Sequence, residues 1–413
     1  MLLLLALASV FARSSTVSDN SLASRDEAAS CDDINSCRTF FSIISGCLVT
    51  IFACTWVSVH PNVPPPGLGN LALCWRRSYM MLVAVVAPEL MVGFATRQFL
   101  DARWLSKKYE MSMTHGFFFT MGGFASQSGH PIVTIKQLRA HPEYLAAIQK
   151  TRVEDIKDKS KGDSLSKGVV LFQGLWFTAQ CLARIRQHLP LTELEVATLA
   201  FQFVTIFVWL LWWHKPLDVQ QPVFFTGTHT EDNEFPHSHM RTNWQTWCRE
   251  LTWENLTPAR IVVGNYPGFD PESSTSVPSF WSTDGPYRQY VPRHFIIVEC
   301  VMGTIFGAIH CVAWNVTFPS VGEMLMWRSC SLVVAAVPFL MTLSVTLLTL
   351  ANTKFQQWVK PTILVICSVV FATSIPAYIV ARLVLIVLSF TTLRALPPDA
   401  FVDVNWSTYI PHF

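Results

Sequence analysis

Four ionisable side chains stand inside or at the ends of apolar runs: Glu89, Glu299, His310 and Arg382. A charge in a hydrocarbon setting is costly, so each of them needs a partner or a task. Glu299 and His310 share one run. On a helix their spacing returns to within about 20° of the same face, roughly 16 Å apart along the axis. Glu89 follows Pro88 in the middle of another run, and Arg382 lies in the last one. A helix bundle gathering the four would have a polar interior able to hold a substrate, pass a proton or perform an acid–base step. A packing reading stands beside it. In that reading Arg382 pairs with one glutamate, Glu299 and Arg382 reach the interface from near the run ends, and His310 is a hydrogen-bonded interior histidine.

Further candidates flank the apolar runs. His115, in MSMTHGFFFTMGGF (Met111–Phe124), and His214-Lys215, after Trp212-Trp213, are placed to sit near a membrane surface. A neutral histidine there could accept a proton or bind a metal. The plainer reading of His214-Lys215 is an interfacial anchor with a snorkelling lysine. Cys31 and Cys37 would begin in an oxidising compartment if the N-terminal block is a cleaved signal, and could close a small disulfide loop. The cysteines inside apolar runs read as small packing residues. His229, His237 and His239 with Glu231, Asp232 and Glu234 lack the paired spacing of zinc sites, so no metal is assigned. Gly162-Asp163-Ser164-Leu165 matches a lipase-type nucleophile block, but the chain has no Asp-x-x-His to supply its base. No P-loop, dinucleotide fingerprint or His-Glu-x-x-His occurs, and no cofactor is implied.

The elements that must position these residues are apolar helices. In LEVATLAFQFVTIFVWLLWW (Leu194–Trp213) the apolar part would span about 27 Å as a helix, close to a bilayer's hydrocarbon thickness. Thr192 followed by Glu195 reads as a capping box at its start, and Trp209, Trp212 and Trp213 suit its exit through the headgroup layer. Similar runs are Thr39–Val57, Tyr79–Phe94, Gly168–Ala183, Phe295–Trp314, Ser329–Leu350 and Thr362–Ser389, the last interrupted at Pro376 as one kinked helix or two pieces. Gly46 is expected to let a neighbouring helix approach, and Gln173 and Gln180, on one face, to hydrogen-bond across helices.

With 51% hydrophobic and 14% charged residues, the composition agrees with an all-α, polytopic transmembrane helix bundle of about seven spans. Residues 1–12 read as a signal-like leader and 13–38 as a tail. Residues 39–213 hold spans one to four with a basic loop at 97–167. Residues 214–294 form a second extramembrane loop, 295–390 hold spans five to seven, and 391–413 form a C-terminal tail. Within the basic loop, Met111–Phe124 is expected to lie in the interface or to pack under the bundle. A net charge of +2 and the absence of a basic, aromatic-interleaved stripe give no reason to expect a nucleic-acid partner, and none is assigned. Orientation is divided: a cleaved leader places 97–167 outside, while the lysines and arginines at both its ends favour the cytoplasm.

The blocks CDDINSCRTF (Cys31–Phe40), IFACTWVSVHPN (Ile51–Asn62), MTHGFFFTMGGF (Met113–Phe124), Gly162–Gly168, WHKPLDV (Trp213–Val219) and VDVNWSTYIPH (Val402–His412) span nearly the whole chain. Together they resemble a family of multi-pass membrane proteins widespread in filamentous and mushroom-forming fungi. The resemblance implies fold and membrane location and supports reading Met1–Ala12 as a leader. It carries over no catalytic residue.

The expectation is therefore a membrane protein of the secretory pathway or plasma membrane. Its partners would be the lipid bilayer and a small or lipophilic ligand, bound or transported in a polar pocket between helices. The alternatives are an intramembrane enzyme using Glu89 or Glu299 as general acid on a polyprenyl or acyl substrate, and a receptor-like sensor.

Overall fold

A computed structural model describes residues 37–160, 164–225, 264, 266, 268–283, 292–354 and 359–406. Among these residues the chain is largely helical. In order, the helices are α1 (Phe40–Ser58), α2 (Asn70–Val86), α3 (Pro88–Lys108), α4 (Met113–Thr120), α5 (Ile135–Ala140), α6 (Pro142–Lys150) and α7 (Val153–Asp158). Then come α8 (Ser164–Arg186), α9 (Glu193–Leu211), α10 (Pro292–His310), α11 (Val321–Lys354) and α12 (Val359–Thr391). Strands β1 (Phe124–Ser126) and β2 (Val223–Phe225) pair in parallel, with Phe124 opposite Val223.

Six segments are long and apolar enough to cross a membrane: Phe40–Ser58, Gly168–Arg186, Glu193–Leu211, Phe295–Asn315, Val321–Ser344 and Thr362–Ala395. The protein is thus a multi-pass helical membrane protein, with up to seven spans if α2 and α3 count as one broken span. The run Tyr79–Phe94 is not a straight helix. It breaks at Ala87 (φ −145°, ψ 74°), and α2 and α3 bend by 113° there. Pro88 has no N–H to continue the α2 ladder, and its fixed φ suits the first position of a new helix. By contrast, α12 is one continuous helix through Pro376.

The chain divides into two compact units. The first comprises Met1–Cys54, Gly168–Val204 and Cys300–Phe413. Here α11 and α12 pack along each other. Close approach occurs where a side chain is missing. The Gln202 amide occupies the space a Cβ on Gly174 would need, and the backbone at Val334-Ala335 does the same at Gly307. Gly46, expected to serve this purpose, has nothing within 4 Å of its Cβ position. Gln202 Oε1 accepts from Cys54 Sγ at 2.7 Å, and Gln173 Nε2 donates to Thr50 Oγ1 at 3.2 Å. The capping box forms as spelled: Thr192 Oγ1 accepts from the Glu195 N–H, and Glu195 Oε2 accepts from the Thr192 N–H. Arg38 then pairs with Glu195 at 2.5 Å, while Arg184 gathers the carbonyls of Pro190, Asp399, Ala400 and Val402. Along α12, Leu364, Val365, Ile366, Val369, Val380 and Val387 are exposed, which suits contact with acyl chains.

The second unit comprises Thr55–Lys167 and Thr205–Glu299. Its core contains Leu105, Met111, Phe118, Phe119, Met121, Phe124, Ile148 and Ile156. The stretch 97–167, read as a basic loop, contains the last turns of α3 and all of α4–α7. Helix α4 has every residue from Thr114 to Thr120 buried, so it lies inside this unit rather than in a lipid interface. Its apolar residues surround the axis, which fits burial on all sides. A Cβ at Gly116 would stand 2.5 Å from the Ala102 carbonyl, so α3 and α4 touch through bare backbone there. Gly122 follows with φ +79°, a conformation that glycine adopts without a Cβ penalty.

Candidate functional site

Helix α3 carries the site. Pro88 starts it, and Glu89, Gly93, Arg97 and Asp101 recur every fourth residue, so that each neighbours the next along a row that winds slowly round the helix. The three charged members are each less than 8% exposed. Gly93 leaves a gap in this row, and the Glu299 carboxylate from α10 fills it, its Oε2 lying where a Cβ would stand. Any larger residue at position 93 would displace that carboxylate. Glu299 is itself 6% exposed, and its Oε2 has no hydrogen-bond partner among the described residues. Among the described residues, Arg97 and Glu89 are charged groups that act on it.

Arg97 is held from several sides. Its guanidinium faces the rings of Phe94 at 5.7 Å and Phe295 at 5.4 Å, and it donates to the Phe280 carbonyl at 3.5 Å. Gly264, at φ +64°, brings backbone close to the Arg97 Nε. One turn on, Asp101 Oδ2 accepts a hydrogen bond from Ser282 Oγ. Three buried carboxylates, Glu89, Asp101 and Glu299, and the Arg97 guanidinium form a site that can hold a polar or charged group and exchange a proton with it.

The next position of α3, Gln98, heads a second buried network. Gln98 Oε1 accepts from Lys215 Nζ at 2.7 Å, and Gln98 Nε2 donates to Asn62 Oδ1 at 2.8 Å and to the Trp281 carbonyl at 3.1 Å. Asn62 Nδ2 donates in turn to the carbonyls of Pro278 and Trp281. Lys215 Nζ also donates to the His60 carbonyl at 2.5 Å and faces the rings of Trp212 at 4.3 Å and Phe94 at 5.2 Å. Lys215 is 1% exposed, so it does not snorkel. Burial, with repulsion from the Arg76 guanidinium second, pushes its amine well below the ordinary range. The aromatic faces favour the charged form. The site supplies the amine with two acceptors, Gln98 Oε1 and the His60 carbonyl.

The residues singled out in the sequence are thus distributed. Glu89 and Glu299 come together in the second unit; His310 and Arg382 belong to the first. His310 Nδ1 bonds the Phe306 carbonyl of its own helix at 2.9 Å, and its ring lies beside Trp327. Arg382 lies over the Phe306 ring at 3.8 Å. His115 is buried, with Nδ1 on Ser112 Oγ at 2.7 Å and Nε2 on the Thr151 carbonyl at 2.8 Å, so both ring nitrogens are used structurally. His214 is exposed beside Trp213. Cys37 is disulfide-bonded; Cys31 lies outside the described residues, as do the 229–239 cluster and Gly162-Asp163. Among the described residues no group of His, Cys, Asp or Glu is arranged to hold a metal ion.

Sequence reading missed Gly93, Arg97, Gln98, Asp101 and Asn62. For Gly93, Arg97 and Asp101 the signal is the four-residue spacing downstream of Pro88, once Pro88 is taken as a helix start; Gln98 and Asn62 carry no such signal.

No curated protein and no solved structure matches the chain. A family model described as a family of unknown function (DUF8562) matches residues 6–115, 106–240 and 294–413. Those matches take in most of the sequence, and with the multi-pass helical fold now in view, the chain belongs to that family.

Proposed function

We propose that this membrane protein binds a small or lipophilic molecule, and moves it between environments, at the site made by Glu89, Gly93, Arg97 and Glu299. The observation that carries the reading is the Glu299 carboxylate, buried on bare Gly93 with no hydrogen bond to Oε2 among the described residues. A buried polar atom without a partner is expensive, and a protein retains one where a ligand or a proton supplies the missing contact. His310 and Arg382 serve packing in this reading, since each is engaged with Phe306. A plasma-membrane or secretory-pathway location goes with it, supported by the leader-like composition of Met1–Ala12.

Native mass spectrometry tests the binding. Wild type and Glu299→Gln are purified in nanodiscs made from host lipid extract, and the molecules each retains are compared. A species held by wild type and lost from the variant supports the site; identical retained sets, or none, contradict it.

A further inference from the structure

The two ends of the spanning region meet. Arg38, just before α1, donates its backbone N–H to the Phe401 carbonyl at 2.8 Å and its Nε to the Ala400 carbonyl at 2.6 Å, both just after the last span. Cys37 forms an antiparallel bridge with Val402. Span ends in contact lie on one side of a bilayer, so the chain between them crosses an even number of times. Arg38 also pairs with Glu195, at the start of α9. Between these two residues lie Phe40–Ser58, the bent pair α2–α3 and Gly168–Arg186, so parity requires that the pair add no crossing. The last two spans agree: Arg394, at the end of one, pairs with Glu323, at the start of the other, at 2.7 Å. All these contacts lie within the first unit. The pair also has reason to turn back. It bends by 113° and carries Arg76, Arg77, Glu89, Arg97, Asp101 and Arg103, a load that is costly in hydrocarbon.

We infer that the chain crosses the bilayer six times, with both its ends on the side away from the cytoplasm, and that α2–α3 is a hairpin returning to the cytoplasmic side. Cys37 is disulfide-bonded, which suits an oxidising compartment. A cleaved leader places the N-terminus there too. With α2–α3 turned back, residues 97–167 fall in the cytoplasm, and the leader no longer conflicts with the positive-inside rule. Every lysine of the chain, from Lys107 to Lys360, then belongs to a cytoplasmic connection. On the outer face, Arg38, Arg184 and Arg394 are taken up by Glu195, by backbone carbonyls and by Glu323. Glu299 lies one turn inside Phe295, where its span leaves the cytoplasm, and so sits in the cytoplasmic half of the bilayer. This topology stands whether or not the site takes a ligand.

The wild-type, full-length chain tests this in microsomes sealed with their cytoplasmic face outward. A membrane-impermeant amine reagent, read by peptide mass spectrometry, is expected to label the exposed Lys136 and Lys150 as fully in sealed vesicles as after detergent opens them. An antibody raised against residues 403–413 reads the C-terminus. Protease added to sealed vesicles should leave that epitope intact, and detergent should expose it to digestion. Lysines and epitope reached from the same side, whichever side it is, would mean an odd number of crossings after the hairpin and would overturn the six-span count. Lysines protected and epitope digested would overturn the orientation. Neither readout needs a variant, so misfolding of a mutant cannot imitate either result.

Discussion

Lys215 Nζ donates to Gln98 Oε1 across 2.7 Å, inside a core from which both residues have excluded water. This one bond ties the segment after α9 to α3, the helix that carries Glu89 and Arg97. Positions 97 and 98 are adjacent, so the neighbouring network helps to fix the helix that presents the site.

A pH dependence follows from Lys215. Its amine is pushed down in the folded protein, by burial first and by Arg76 second, while the unfolded chain keeps the ordinary value of 10.5. Below 10.5 the unfolded state therefore binds the extra proton, and stability rises as pH climbs from the folded value towards 10.5. The thermal midpoint in nanodiscs is expected to increase across that window, and Lys215→Met to flatten the increase. Equal slopes in the two proteins would contradict the assignment.

Removing the acceptor tests the same network from its other end. Gln98→Leu leaves the Lys215 amine and Asn62 Oδ1 each short of one bond, a loss of about 1–3 kcal/mol per buried group. In a double-mutant cycle with Lys215→Met the two changes should be non-additive, because they break one shared bond. Strict additivity would show that the pair is not coupled.

In the first unit, Glu195 closes the capping box of α9 and receives Arg38. Glu195→Ala should therefore cost more than Thr192→Ala, whose loss is limited to a helix cap of about 1 kcal/mol. Leaving the partly buried Arg38 without its carboxylate raises the penalty for Glu195→Ala towards about 3 kcal/mol. Thermal unfolding of the two variants in detergent gives the order; equal losses would remove Arg38 from the account.

Glycines 46 and 116 should respond in opposite ways. Gly116→Ala drives a Cβ towards the Ala102 carbonyl, and overpacking of this kind costs about 1–3 kcal/mol. Gly46→Ala meets open space within α1 and should be neutral or stabilising by up to about 1 kcal/mol. Comparable effects at both positions would contradict the described packing of α3 on α4.

What could be read from the sequence was what local chemistry decides. The Thr192–Glu195 box is a matter of four consecutive residues, and it forms as spelled. Gln173 was visible as a polar residue on an apolar helix and does bond to a neighbour. Tyr79–Phe94 misled because hydropathy runs unbroken across a backbone that Pro88 turns. Lys215 misled, and Met113–Thr120 was left between an interface and a packed position, because a lysine stem beside tryptophans, or a Phe-rich turn, looks the same at an interface as in a core. Only tertiary neighbours such as Gln98 and Ala102 separate the two. Spacing places Glu299 and His310 on one helix, but it does not say which side chains the rest of the chain brings to each.

All of this rests on the apolar helices being threaded through lipid, most plainly α12, whose apolar side chains are largely exposed. Extraction of membranes from expressing cells with alkaline carbonate tests that directly. The full-length protein is expected to stay in the membrane pellet and to leave it only with detergent. Quantitative release into the carbonate supernatant would contradict the fold reading and, with it, the membrane setting assigned to Glu299.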